Sequence, residues 1–225
     1  MASLNTKAWL GFIFLAIAMS LLLFLSAGTI RYWQAWGFLA TFFGASLLIT
    51  LYLVKRDPAL LERRLSGGPT AEKETRQKFI MLLASSGFIA LLVVPALDYR
   101  FGWSKVPLYL VIAGDIFTAI GFYIVFLVYK ENTFTSATIE VAIDQKVIST
   151  GPYAVVRHPM YAGSLIYLVA MPFALGSYWG LLAFAAFFPI LIWRLLAEER
   201  FLSKNLPGYK EYCGKVRWRL IPGIF

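Results

Sequence analysis

Two short groups of polar residues in the second half of the chain have the types and spacing that chemistry requires. The first group centres on His158, the only histidine, which directly follows Arg157. The second contains Arg194, Glu198 and Glu199, and the four-residue spacing places Arg194 and Glu198 on one face of a helix. A guanidinium orients a carboxylate through paired hydrogen bonds, and a carboxylate stabilises a cation or acts as a base. Both groups are therefore candidates for binding charged reactants, although a helix-end arginine that snorkels beside Glu198 is the alternative for Arg194.

A run of uncharged residues, 160–193, separates the two groups. As one helix this run would extend about 51 Å, against about 30 Å of bilayer hydrocarbon. Pro172 and the pair Gly176 and Ser177 lie near its middle and favour a turn. We therefore predict a helical hairpin that brings both polar groups to the same face of the membrane.

Composition indicates an integral membrane protein. Hydrophobic residues make up 60% of the 225 residues and charged residues 15%, and the mean hydropathy is +0.70. Soluble domains are typically about half apolar and about a quarter charged. The net charge of +9 is explained by basic residues between apolar runs, so we expect no nucleic acid partner. The single cysteine, Cys213, excludes an intrachain disulfide, and a Cys/His metal site has too few ligands.

Four apolar runs of spanning length precede the hairpin, and the first is too long for a cleavable signal, whose apolar core is about 7–15 residues. The predicted spans of the amino-terminal region 1–129 are 8–30, 32–54, 79–97 and 106–129. The region 130–225 is predicted to be catalytic, with a connector at 130–158, the hairpin at 160–195 and an amphipathic helix and tail at 196–225. The sequence thus predicts an all-α integral membrane protein, a polytopic helical bundle of about five spans with a C-terminal helix-turn-helix hairpin and a cytosolic-facing catalytic site.

The distribution of basic residues predicts the orientation. With alternating spans, 18 of the 21 lysines and arginines fall on the side of the amino terminus. The positive-inside rule then places both termini and the site on the cytoplasmic face. On this side, the loop 55–78 is expected to be a solvated connector with an interfacial helix. Asp115, within the fourth run, is a functional candidate by position, and a buried carboxylate bonded to a neighbouring hydroxyl is the alternative.

Two segments after the fourth span carry local signals. Residues 138–144 alternate between polar and apolar types, which predicts a short extended segment and a turn that form one wall of the site. Residues after Arg194 are amphipathic, which is typical of a helix that lies along an anionic leaflet. The chain lacks Gly-x-Gly-x-x-Gly, the P-loop pattern, Gly-x-Ser-x-Gly and His-Glu-x-x-His, so the classes that those motifs mark are unsupported.

The pattern Gly151-Pro-Tyr-x-x-x-Arg-His-Pro-x-Tyr-x-Gly163, the hairpin and Arg194-x-x-x-Glu-Glu199 resemble the isoprenylcysteine carboxyl methyltransferase family. Membrane phospholipid N-methyltransferases share this core, and the resemblance covers residues 130–222. It implies an S-adenosylmethionine site between the connector and the hairpin. The cofactor-binding residues that it implies are Tyr153, His158, Pro159, Tyr161, Gly163 and Glu199. The catalytic residues that it implies are Arg194, which would orient a substrate carboxylate, and Glu198.

The function implied by this resemblance is methylation of a lipidic acceptor, the carboxylate of a prenylated cysteine or a similar group, within a membrane. A phospholipid amine is an alternative acceptor. Membrane sterol and enone reductases that use NADPH carry the similar pattern Arg-His-Pro-Asn-Tyr-x-Gly-Glu, where this chain has Met160 and Ser164. A transporter with Asp115 and Arg194 as pathway charges is the non-enzymatic alternative, although no inverted repeat supports it.

Overall fold

The computed structural model describes residues 4–65, 67, 71–72, 74–142 and 144–225, and over these ranges it contains helices and no strand. A single 3-10 turn, Gly151–Ala154, precedes the last hairpin. The helices are α1 (Leu4–Ala27), α2 (Trp33–Arg56), α3 (Pro58–Leu65), α4 (Thr75–Phe101), α5 (Leu108–Glu131), α6 (Pro159–Ala174), α7 (Gly180–Asn205) and α8 (Tyr209–Lys215). The predicted all-α class is confirmed.

Five helices within the described ranges are long and apolar enough to cross a membrane: α1, α2, α4, α5 and α7. They contain 24 to 27 residues each, whereas α6 is apolar but has only 16. A spanning helix needs about 20 residues. The chain is therefore an integral multi-pass membrane protein, as the sequence predicts.

The turn between α6 and α7 closes the predicted hairpin. Gly176 adopts a left-handed conformation with φ of 69°, which glycine accommodates without strain. The backbone N–H of Ser177 donates to the carbonyl of Pro172 over 2.8 Å. The Ser177 hydroxyl also donates to Asp98, near the end of α4, and Asp98 accepts two further hydrogen bonds from Ser104. The turn is thus fixed to the α4–α5 loop, so the hairpin reaches the end of the bundle at which this loop lies.

Helices α5 and α6 approach closely because glycines face one another across their contact. A Cβ atom built on Gly121 would lie 2.6 Å from the carbonyl oxygen of Gly163, and one on Gly163 would lie 2.9 Å from that of Gly121. At Gly114 a Cβ would lie 2.3 Å from the backbone nitrogen of Ala174. Small residues let membrane helices pack backbone against backbone in this way.

The unequal lengths of the hairpin helices create a recess. Helix α6 has 16 residues and α7 has 26, so α6 is about 15 Å shorter. Both meet at the turn beside Asp98, and the deficit therefore lies at the opposite end, above Pro159. The connector after α5 and the segment after α7 cover this space.

The loop between α2 and α4 differs from its predicted role as a solvated connector. Helix α3 is the expected short helix, with Leu60 and Leu61 buried. Its arginines, however, hold the connector: Arg63 donates to the carbonyl of Thr133, and Arg64 donates to that of Ser136 over 2.8 Å. These arginine side chains at the end of α3 thereby help to cover the recess above α6. Residues 66, 68–70 and 73 of this loop lie outside the described ranges.

The connector and the chain after α7 pack on each other. Residues 138–142 form no strand pairing, but the predicted turn is present, with Asp144 at φ of 61° and the N–H of Gln145 bonded to Ala142. The apolar residues that were expected to face a leaflet instead pack against this connector. The cluster consists of Leu206, Tyr209 and Tyr212 with Val141, Val147, Tyr153, Leu202, Cys213 and Val216.

Candidate active site

A cavity of about 380 Å³ occupies the recess above α6. Its volume is in the range of small-molecule sites, about 300–1,000 Å³. The polar side chains of both sequence motifs reach it, because α6 begins at its floor and α7 passes along its wall. Of the predicted site residues, those that line it are Tyr153, His158, Pro159, Tyr161, Arg194 and Glu198.

An apolar arm of the same cavity extends into the helix bundle. Its lining comes from spanning segments: Met81, Ala84 and Phe88 of α4, Leu168 of α6, and Phe187 and Leu191 of α7. Along α7 the lining changes from Phe187 and Leu191 to Arg194 and then Glu198. The charged end is therefore continuous with an apolar space at membrane depth.

The two motifs meet directly between α6 and α7. The hydroxyl of Tyr161 donates to Oε2 of Glu198 over 2.7 Å. The ring of His158 packs edge-on against that of Tyr161, with centroids 5.8 Å apart. The predicted meeting of the two polar groups is confirmed by these contacts.

His158 lies at the start of α6 and is 5% exposed. Its backbone N–H donates to the carbonyl of Arg219 over 2.9 Å, so the chain after α8 fixes its position. Burial, together with the charges of Arg157 and Arg219, lowers the pKa of the imidazole to about 3. The ring is therefore neutral at physiological pH, and its Nε2 is buried without a hydrogen-bond partner.

Tyr153 is placed by the 3-10 turn and by two contacts. Its hydroxyl accepts a hydrogen bond of 2.9 Å from the side-chain amide of Asn132, and its carbonyl accepts one of 2.7 Å from the Tyr212 hydroxyl. Burial raises the pKa of the Tyr153 phenol. The phenol is therefore neutral and offers a polar tip and an aromatic face to the cavity.

Arg194 has a partner that sequence reasoning missed. Its Nη2 donates to Oε1 of Glu72 over 2.9 Å and to the carbonyl of Ala137 over 3.1 Å. Glu72 is 3% exposed, although it lies in the loop that the sequence predicted to be solvated. An arginine at membrane depth needs a carboxylate partner, and this need was the only signal for Glu72 in the sequence. It did not indicate which carboxylate the partner would be. The Nη1 atom of Arg194 is buried without a partner.

Two predicted cofactor residues have other contacts. Glu199 bridges Arg157 at 2.7 Å and Arg219 at 2.6 Å, and it faces a second cleft outside the cavity. Gly163 lies in the close contact with Gly121 and does not line the cavity either. Their predicted cofactor roles stay predictions. Charge pairing accounts for a glutamate at position 199, and close helix packing accounts for a glycine at position 163.

Asp115 lies away from the cavity. Its carboxylate lies near the Thr41 hydroxyl and approaches Gly37 on α2. In the part of the chain that the structure describes, no group of three or more His, Cys, Asp or Glu side chains is placed to hold a metal ion. The cavity itself combines a carboxylate, a guanidinium with a free Nη1 and a neutral imidazole. It can therefore bind a cation and an anion next to each other.

Comparisons with known proteins concern mainly this region. Residues 109–207 match the model of the family described as phospholipid methyltransferase, which is somewhat less than half of the chain and covers α5, the connector and the hairpin. The delta(14)-sterol reductase of Mus musculus is 32% identical over 94 residues, which are 39% of this chain. The chain spans only 22% of the length of that relative. Over α5, the connector and the hairpin, the chain is thus similar to phospholipid methyltransferases, which supports a membrane methyltransferase.

Proposed function

We propose that the protein is an S-adenosylmethionine-dependent methyltransferase that methylates the carboxylate of a lipidic acceptor, such as a prenylated cysteine. The observation that carries this proposal is the order of side chains along α7. Apolar Phe187 and Leu191 are followed by Arg194, whose Nη1 is free, and then by Glu198. An acceptor with an apolar tail and an anionic end matches that order.

The residues of the cavity fit this cofactor. When bound, S-adenosylmethionine supplies a methyl group on a sulfonium cation, whose carbon–sulfur bond breaks in the transfer and leaves its electron pair on sulfur. The carboxylate of Glu198 and the aromatic faces nearby would stabilise the cation. The unpartnered Nε2 of His158 is a buried polar atom that a ligand would satisfy. Tyr153, His158, Pro159 and Tyr161 would hold the cofactor, with Glu198 beside the reacting group.

An acceptor carboxylate needs little further activation. It is ionised at neutral pH and therefore needs no general base. The protein has to hold the acceptor oxygen and the methyl group in line, and such positioning lowers a barrier by several kcal/mol (up to about 7–11). Arg194 supplies the anchor for the carboxylate. The apolar arm admits the tail sideways from the bilayer, and the basic-residue bias supports a site and termini on the cytoplasmic face.

A titration of the detergent-solubilised protein tests the cofactor. Calorimetry with S-adenosylhomocysteine should show saturable binding, while NADPH run in parallel should show none. The Arg194→Ala variant should bind S-adenosylhomocysteine within a few-fold of wild type and lose methyl transfer to an N-acetylated S-prenylcysteine. Binding of NADPH alone would overturn the proposal.

Two alternatives have an observation of their own. The family description favours a phospholipid amine as acceptor. An amine must lose its proton to a base, for which Glu198 and His158 are the candidates. His158 is the poor candidate, because its pKa is lowered to about 3. The reaction itself would not need Arg194. The sterol reductase match favours NADPH chemistry. Met160 and Ser164, where this chain departs from the reductase pattern, both line the cavity, and this difference favours methyl transfer.

A further inference from the structure

Glu72 and Arg194 form a buried ion pair across 122 residues of sequence. Their side chains are 2% and 11% exposed, respectively. Such burial is costly for two charges unless both are paired and bonded further. The pair meets this condition, since Oε2 of Glu72 accepts a hydrogen bond from the backbone of Ile139 and Arg194 also bonds Ala137. The pair joins the α3–α4 loop, the connector and α7 at one point of the cavity wall.

The pair changes what Arg194 can offer to an acceptor. Its Nη2 is used by Glu72 and Ala137, and its Nη1 is not used. A fork grip through both terminal nitrogens, which the sequence predicts for this arginine, is therefore blocked while the pair exists. An arginine side chain has many rotamers, and a fixed partner removes that freedom before a ligand binds.

We propose that Glu72 is a positioning residue for methyl transfer. It holds the guanidinium of Arg194 so that Nη1 alone faces the acceptor carboxylate, and it does not touch the acceptor or the cofactor itself. This inference rests on the proposed function, because it assigns Nη1 to the acceptor. It assigns a role in the site to a residue of the α3–α4 loop, which lies far from residues 130–222 in the sequence.

Kinetics of Glu72 variants test the role. The acceptor is N-acetyl-S-farnesylcysteine, the donor is S-adenosylmethionine with a labelled methyl group, and rates are expressed per S-adenosylhomocysteine-binding site. Glu72→Ala should lower kcat at least tenfold and leave the KM for the donor within twofold. Glu72→Gln should keep a substantial part of kcat, since an amide oxygen still accepts from Nη2.

Glu74 provides the matched control. It is exposed, lies two residues away and makes no side-chain cap on α4. Glu74→Gln should match wild type in every parameter. If Glu72→Ala keeps the wild-type kcat, the proposal is overturned. A higher kcat would also overturn it, since it would make Glu72 a competitor of the acceptor carboxylate for Arg194.

A second measurement separates this inference from the proposed function. In a thermal double-mutant cycle, Glu72→Ala with Arg194→Ala should lower Tm by much less than the sum of the two single variants. Additive shifts would show that the residues are not paired and would end the proposal. If the wild-type protein does not methylate the acceptor but the cycle shows coupling, the ion pair is supported. The proposed methyltransferase function, and with it the role of Nη1, is then contradicted.

Discussion

The hydroxyl of Tyr161 on α6 donates a hydrogen bond of 2.7 Å to the carboxylate of Glu198 on α7. The two residues belong to different motifs, 37 positions apart. Both are half-buried at the cavity wall, and a typical intramolecular hydrogen bond contributes about 0.5–1.5 kcal/mol. The phenol therefore helps to fix the position of the Glu198 carboxyl group.

Replacement of Tyr161 by phenylalanine should lower turnover about tenfold. The ring and its packing on His158 remain, but Glu198 loses its donor and one tenfold step corresponds to about 1.4 kcal/mol. Methyl-transfer rates and Tm should be measured together. Tyr178→Phe, on the exposed turn at the far end of α7, is the control and should change neither. An unchanged rate for Tyr161→Phe would mean that Glu198 is placed by other contacts.

Alanine at Gly121 should destabilise the protein. Its Cβ would lie 2.6 Å from a backbone oxygen and 2.8 Å from the backbone nitrogen of Tyr167, so α5 and α6 would have to separate. We expect a fall in Tm of several degrees, measured in detergent. Gly44→Ala is the matched control, since nothing lies within 4 Å of its Cβ, and helix propensity alone predicts a gain of up to about 1 kcal/mol.

The same experiment on Gly163 distinguishes two roles. If Gly163 serves the helix contact, Gly163→Ala should lower Tm as Gly121→Ala does, with S-adenosylhomocysteine affinity falling only as far as the fold is lost. A variant with wild-type Tm and no S-adenosylhomocysteine binding would restore the cofactor role that the sequence predicts.

Acid should destabilise the fold through His158. The imidazole has a pKa of about 3 in the folded protein and about 6.5 when unfolded, so protons bind the unfolded chain first as pH falls. Stability from this group is complete above pH 6.5 and declines toward pH 3. At pH 5 the loss is about 2 kcal/mol. His158→Gln should therefore lose less stability than wild type between pH 7.5 and 5. Parallel pH profiles for the two proteins would contradict the lowered pKa.

Loss of the Asp98 carboxylate should weaken the far end of the hairpin. Asp98 is buried and accepts from Ser104 and Ser177, which fixes the turn between α6 and α7. Asp98→Ala leaves the buried Ser177 hydroxyl and the half-buried donors of Ser104 without this acceptor, and an unsatisfied buried group costs about 1–3 kcal/mol. We expect a marked decrease in Tm for Asp98→Ala. Lys105→Gln, on the exposed loop nearby, is the control and should leave Tm unchanged. Wild-type stability of Asp98→Ala would show that water replaces the carboxylate.

Several features of this molecule follow from sequence alone. The uncharged run 160–193 is too long for one span and contains Pro172 and Gly176, so the hairpin and the return of the two polar groups to one end of it were predictable. These predictions depend on the length of an apolar run and on the turn preferences of proline and glycine. Both can be determined from the sequence without knowledge of the fold.

Other features were not predictable because different structures share one pattern. The glycine of the motif, Gly163, has the same sequence signal whether it faces a ligand or a helix, and only the position of Gly121 distinguishes the two. The amphipathic segment after α7 would look the same on a leaflet or on the connector. The contact of Glu72 with Arg194 joins a loop residue to a helix residue. No periodic pattern in the sequence indicates such a pair.

If the acceptor is a lipid, as proposed, the short α6 also determines how it reaches the site. The floor of the cavity lies about 15 Å below the end of α7, and its apolar arm is lined by side chains of α4, α6 and α7. Transfer of a tail from the bilayer into water costs about 0.8 kcal/mol per CH₂ group, so a long chain would face a prohibitive barrier. Because the charged groups lie at this depth, the tail of such a lipid would stay in apolar surroundings while its polar end binds. Under the proposed function, only the polar end of the lipid would have to move to the charged groups, and the membrane would supply the substrate.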